Sequence, residues 1–200
     1  MTNKLEFDAG LHEYRLAGRV IPSVTQVIAS HVPQWQASQW HMDRGTDVHE
    51  AVAMALKGKL DWASVDERIH ARVRSILDFI AAEKLDAVAV EIQLASVRYQ
   101  FAGTLDFVGL KEGPALVLCD WKGTITPAAE IQLGAYALMW DEDQGSPIGR
   151  AVAVECGDDG KYRCKWFKAA EVKRAGQVFL SMLTIFGWKE KNGSNNKGET

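Results

Sequence analysis

Cysteine is scarce in this chain. Of 200 residues only Cys119, Cys156 and Cys164 carry a thiol. Their number is odd and no pair has Cys-x-x-Cys spacing, so they read as reduced core thiols rather than a disulfide framework. An iron–sulfur cluster needs four ligands, which excludes one held within this chain. Long apolar runs are also missing, and Met1-Thr-Asn-Lys-Leu-Glu-Phe-Asp8 lacks the apolar stretch of a signal peptide. The expectation is an intracellular (cytoplasmic) protein with no membrane partner. There is no excess of positive charge either: the formal net charge is −3. This argues against a protein that coats nucleic acid by charge alone. It leaves room for an enzyme whose acidic site has a local basic rim, drawn from Arg44, Lys57, Lys59, Arg68, Arg72, Arg74 and Arg98. No Gly-x-x-x-x-Gly-Lys-Ser/Thr loop occurs in these residues, and the expectation is a domain without a helicase segment.

What is present is a 47% hydrophobic chain, enough for one substantial domain. Residues 5–21 contain two short alternating runs around Gly10 and Gly18, which predict a hairpin. Ser23 and Gln26 have capping-box spacing and open a helix. Residues 46–57 form a helical stripe through Val48, Val52 and Leu56, stopped at Gly58. Ser64-Val-Asp-Glu67 is read as a second capping box, opening a helix to about residue 84. Strands are expected over 87–97, 99–110 and 115–122, and a helix from Thr126-Pro127 to about Trp140. A strand pair over 148–156 and 161–167 and a helix over 169–188 complete the order. The fold class is therefore α/β, a central mixed sheet flanked by helices. One domain is expected over 1–188, with the hairpin and helices in 1–85 and a core in 86–188, followed by a disordered tail over 189–200.

The chemistry concentrates at the end of the apolar run Ala115–Lys122. Asp120 and Lys122, two residues apart in a strand, share a face. With Asp106 on the preceding strand, they are the minimum set for holding a divalent cation beside a phosphate and activating water. The tripeptide alone says little, because Asp159-Gly-Lys161 and Glu171-Val-Lys173 match it too. The first is a turn, and the second lies in a helix, where residues i and i+2 do not share a face. Only Asp120-Trp121-Lys122 ends an apolar strand, follows Gly103-Thr-Leu-Asp106 and precedes a helix. Glu91, between Val90 and Ile92, would be costly facing the core; it is either a further carboxylate at the site or an outward-facing strand residue. Trp35 and Trp40 are either base-stacking or buried aromatics.

Taken together, Gly45-Thr-Asp-Val-His49, Gly103-Thr-Leu-Asp106, Asp120-Trp-Lys122 and Gln132-Leu-Gly-Ala-Tyr136 resemble, in order, the motifs of the PD-(D/E)XK nucleases, in the RecB-like branch. The likeness covers roughly residues 20–140 and implies a restriction-endonuclease-like core. Pro22-Ser23-Val24-Thr25 after a hairpin is similar to the compact phage-type exonucleases. The resemblance implies that His49 completes a Mg²⁺ or Mn²⁺ shell with Asp106, Asp120 and the Trp121 carbonyl. It implies catalytic roles for these residues, Lys122 and Glu91, and DNA contacts from Gln132 and Tyr136. Arg44, Ser23 and Thr25 are further candidate DNA contacts, although capping alone explains Ser23. The cysteine quartet of some RecB-like nucleases is absent. The expected activity is a metal-dependent DNA exonuclease leaving 5′-phosphates, in phage biology or in recombination and repair, with a recombination or replication protein as a further partner. A flap or junction endonuclease, or a silent nucleic-acid-binding module, are the alternatives.

Overall fold

The computed structural model describes residues 4–32, 39–111 and 115–193, with backbone alone for 39–44 and 193. Two sheets and five α-helices follow in chain order. Strands β1 (Leu5–Asp8), β2 (Glu13–Leu16) and β3 (Arg19–Ile21) pair antiparallel in a small sheet. The expected hairpin is thus a three-strand meander, because Ala17-Gly18 makes a second tight turn, both residues at positive φ. Helix α1 (Val24–Ala29) begins at Ser23 with the expected reciprocal cap. Helix α2 (Gln39–Leu56) starts earlier than the periodicity suggested. Helix α3 (Glu67–Ala82) is capped by Asp66, not Ser64, which belongs to a preceding 3-10 turn, Trp62–Ser64.

The main sheet has the order β4 (Asp86–Ser96), β5 (Phe101–Leu110), β6 (Leu116–Lys122), β7 (Arg150–Cys156), β8 (Tyr162–Lys168). All neighbours are antiparallel except β6 and β7. A parallel pair needs a crossover, and helix α4 (Ala128–Gln144) supplies it. The last helix, α5 (Ala169–Gly193), runs past Trp188, so residues 189–193 are helical rather than part of a tail; 194–200 lie outside the described residues.

Each face of the sheet carries its own core. Leu105, Val108, Leu118, Ala151 and Ala153 pack under α1, α4 and α5. Phe107, Val117, Cys119, Trp121, Val152 and Val154 pack under α2 and α3, whose Val48, Val52, Val73 and Ile76 are buried. Central strands buried on both sides explain the near-continuous apolar runs in β6 and β7. Helices α4 and α5 cross very closely: a Cβ on Gly134 would stand 2.3 Å from the Gly176 nitrogen, so no larger residue fits there.

The small sheet is fastened to β5. Ala102 N–H donates to the Pro22 carbonyl at 3.0 Å, and the Tyr14 and Thr104 hydroxyls are 2.8 Å apart. Thr104 is two residues before Asp106, so the N-terminal region bears directly on the strand that carries the candidate site.

Candidate active site

Besides a register shift between Ala87 and Ala89, the alternation of faces along β4 and β5 is broken at the same level in both strands. Ile92 and Leu105, which pair, belong to the core under α1, α4 and α5. Val90 and Phe107, which also pair, belong to the opposite core. In regular strands residues two apart share a face, so both chains change sides between these pairs. The residues at the change are Glu91 and Asp106. Glu91 has φ +49, in the left-handed region. The other positive-φ residues that are not glycine, His12, Ala17, Lys84 and Gln100, all sit in turns. A left-handed residue inside a strand costs about 1–3 kcal/mol and persists only where surroundings enforce it. Here it re-aims a carboxylate.

That carboxylate meets His49 from α2. His49 Nδ1 lies 3.3 Å from Glu91 Oε1 and 3.5 Å from Asp106 Oδ1. One ligand atom from each of the three residues falls within 4.8 Å of the others. Asp106 is buried, and its second oxygen accepts the Trp121 N–H at 2.7 Å. Burial opposes ionisation of Asp106, but His49, Lys122 and the Trp121 N–H together hold its carboxyl below the usual range. Burial raises the Glu91 carboxyl, only partly offset by His49. Burial would also neutralise His49, yet the two acids override it and push the imidazole well above its ordinary value.

Strand β6 keeps regular alternation and delivers the second half of the site. Lys122 Nζ donates to Asp120 Oδ1 at 3.0 Å and stands 2.8 Å from Oδ2. It also donates to Gln132 Oε1 at 2.9 Å, and Gln132 Nε2 donates to the Tyr136 hydroxyl at 2.7 Å. Asp120 is fully buried; burial, with Asp106 adding to it, pushes its carboxyl up to about 6 against the pull of Lys122. Lys122 is raised as well: burial favours the neutral amine, but Asp120 and Asp106 outweigh it. Gly103 completes this side, because a Cβ there would come within 2.9 Å of the Tyr136 ring.

The sequence readings divide as follows. His49, Asp106, Asp120, Lys122 and Gln132 are brought together, and Glu91 faces the site rather than solvent. Tyr136 is 4% exposed and stands behind Gln132, not on a DNA-facing surface. Ser23 is buried and its hydroxyl is taken up by the cap, whereas Thr25, 3.0 Å from it, lines the cleft. What Trp121 gives Asp106 is its N–H. Trp35 and the side chains of Trp40 and Arg44 lie outside the described residues. Arg72, one of seven cations named from the sequence, is the residue that reading did not single out: it lines the same cleft of about 630 Å³ as His49, Lys122 and Gln132. Arg68, in contrast, is paired with exposed Asp66, and Arg74 and Arg98 lie over the rings of Trp62 and Tyr99.

The donor set tests whether a cation fits. One imidazole nitrogen and carboxylate oxygens suit Mg²⁺ or Mn²⁺. Glu91 Oε1 and Asp120 Oδ2 are both buried and accept no aligned hydrogen bond from the described residues. Each has one nitrogen beside it, that of His49 at 3.3 Å and that of Lys122 at 2.8 Å, and both keep lone pairs that a cation can take.

Residues 34–178 match the sequence profile of the PD-(D/E)XK nuclease superfamily. The chain belongs to that superfamily. A search of curated proteins finds no match. Among solved structures, an alkaline exonuclease, LHK-Exo, from Laribacter hongkongensis is similar at 13% identity and TM-score 0.40, covering 88% of this chain and 94% of that one. A second structure, LHK-Exo in complex with dAMP, gives 15% identity and TM-score 0.38, with 87% and 94% covered. Divalent-metal chemistry is the rule in this superfamily, consistent with the cluster of His49, Glu91 and Asp106. Among the described residues no helix is long and apolar enough to cross a membrane.

Proposed function

We propose that this protein is a Mg²⁺- or Mn²⁺-dependent DNA exonuclease that hydrolyses phosphodiester bonds to leave 5′-phosphates, serving phage biology or recombination and repair. One observation carries the reading: His49, Glu91 and Asp106 gather ligand atoms within 4.8 Å, and His49 lines the same cleft as Lys122. His49, Glu91 and Asp106 would hold the cation, with Asp120 and the Trp121 carbonyl completing its shell. When bound, a divalent cation supplies charge neutralisation at the phosphate and acidifies water.

The chain's own residues supply the rest. Lys122 is the proton-handling group and is oriented from two sides, by Asp120 and by Gln132. The ammonium of Lys122, a donor only, selects the Gln132 oxygen, and the amide nitrogen is anchored on the Tyr136 hydroxyl. With the two acids uncompensated, Lys122 stays protonated and serves as a donor to a phosphate oxygen or the attacking water. Once their charge is offset, burial dominates and draws its pKa down toward the range of a general base. Thr25 and Arg44 are candidate contacts to the DNA backbone. The exonuclease assignment rests on the N-terminal meander leading into Pro22-Ser23-Val24-Thr25.

End-labelled linear and covalently closed circular DNA, incubated with Mn²⁺ or EDTA, tests this. The expected result is Mn²⁺-dependent loss of linear DNA only. Cutting of the closed circle would make the protein an endonuclease, and equal product from wild type, Asp120→Ala and Lys122→Ala would remove the nuclease assignment.

A further inference from the structure

Arg72 has no part in the chemistry above, yet its side chain is 13% exposed and lines the same cleft. Its Nε donates to Asp158 Oδ1 at 2.5 Å, in the turn between β7 and β8. Neither Nη1 nor Nη2 donates a hydrogen bond to any of the described residues. A Cβ on Gly123 would stand 3.4 Å from Nη1, so that end of the guanidinium lies against the residue that follows Lys122. Asp158 is 61% exposed, and an ion pair with so exposed a partner is worth about 0–1 kcal/mol. That does not account for burying most of a guanidinium side chain while its Nη donors stand at the cleft without a partner among the described residues, open to an acceptor from a ligand. A planar fork with one edge fixed and the other open matches the geometry of a phosphate. The nearby walls, Ile28, Val48, Ile76 and Trp121, suit a sugar or base.

We infer that Arg72 is a second phosphate clamp: it grips a phosphate other than the one being cut, setting the position of the strand along the cleft, with Asp158 as its orienter. This rests on the nuclease reading for the substrate class. The ligand is a phosphate group, either at a strand end or within the strand.

The test is fluorescence anisotropy across a salt series with Mn²⁺, using a labelled single strand carrying a 5′-phosphate or a 5′-hydroxyl. Lys122→Ala protein is used to arrest cutting. Adding Arg72→Gln is expected to weaken binding about tenfold and to flatten the log–log salt slope by about 0.7, the loss of one single-strand phosphate contact. Arg72→Lys should restore the slope but only part of the affinity, because an ammonium lacks the fork. A loss confined to the 5′-phosphorylated strand assigns a terminal phosphate; equal loss with both assigns an internal one. Unchanged affinity and slope in Arg72→Gln overturns the inference, as does a lowered melting temperature with binding intact, which would make Arg72 a strut for the turn. If Arg72→Gln does not fold, Arg72→Lys decides alone: weaker binding at unchanged slope supports the clamp, and wild-type binding overturns it. Continued digestion by Lys122→Ala, read on a gel, counts against the proposed chemistry instead, so the two failures are separable.

Discussion

The two halves of the site are built in opposite ways. Asp120 and Lys122 stand on a regular strand, where alternation alone puts them side by side and Gln132 backs the lysine from the crossover helix. Glu91 and Asp106 stand where two paired strands both break alternation, one of them through a left-handed residue. In the proposed mechanism the regular half handles protons, and the irregular half gathers carboxylates around a histidine. Like charges crowd together in the second half, held by a strained backbone and countered by His49 in contact and by Lys122 from the other half.

If the halves have these separate tasks, mutations should separate them. The largest effect belongs to the regular half. Lys122→Ala is expected to lower the rate of DNA hydrolysis by roughly 10²–10⁴, the usual contribution of a proton-transfer group. It should keep the melting-temperature rise on adding Mn²⁺, about 2.7 kcal/mol at a hundredfold excess over Kd. Glu91→Gln and His49→Ala should lose most of that rise. A Lys122→Ala protein that no longer responds to Mn²⁺ would merge the two halves into one.

The junction between them is Asp120, whose pKa of about 6 lies above that of an ordinary aspartate because of burial. Its anionic form is the one that a cation needs. Beyond the proton that His49 must release at higher pH, Mn²⁺ affinity should therefore show a further fall as pH drops through 6, rather than near 4 as for an exposed carboxylate. Calorimetric titration at pH 5, 6 and 7.5 checks this; equal affinity at the three values would place Asp120 outside the cation's reach.

The smallest effect concerns the backbone itself. Glu91→Gly and Glu91→Ala both remove the carboxylate, but only glycine adopts positive φ freely. Glu91→Gly should be the more stable of the two by about 1 kcal/mol in denaturant unfolding. The reverse order would show that Glu91 is not strained.

The same contrast explains what could be read from the sequence. Asp120 and Lys122 were legible because period-2 spacing holds through β6, and Gln132 because its motif resembles that of the family on a helix that keeps regular spacing. Element boundaries in the main sheet were also close, since apolar runs and turn residues bracket them. Glu91 stayed ambiguous because alternation cannot assign a side to a residue at which alternation itself fails. Tyr136 shares a helix face with Gln132, but spacing does not say that Gly103 lets its ring sink below the surface. Arg72 was one of seven cations on an unremarkable helix face. Only the fold places it opposite Gly123, because that contact joins segments about fifty residues apart.

Gly134, where α5 touches α4, lies between Gln132 and Tyr136. The contact that seals the hydrophobic seam thus falls within the single helical turn that steadies the lysine. A chain that has not yet docked its last helix leaves the Gln132 turn unsupported on that side, and the amine then keeps only Asp120 as a fixed partner. Closure of the seam and full orientation of the amine thus fall to one and the same stretch of helix.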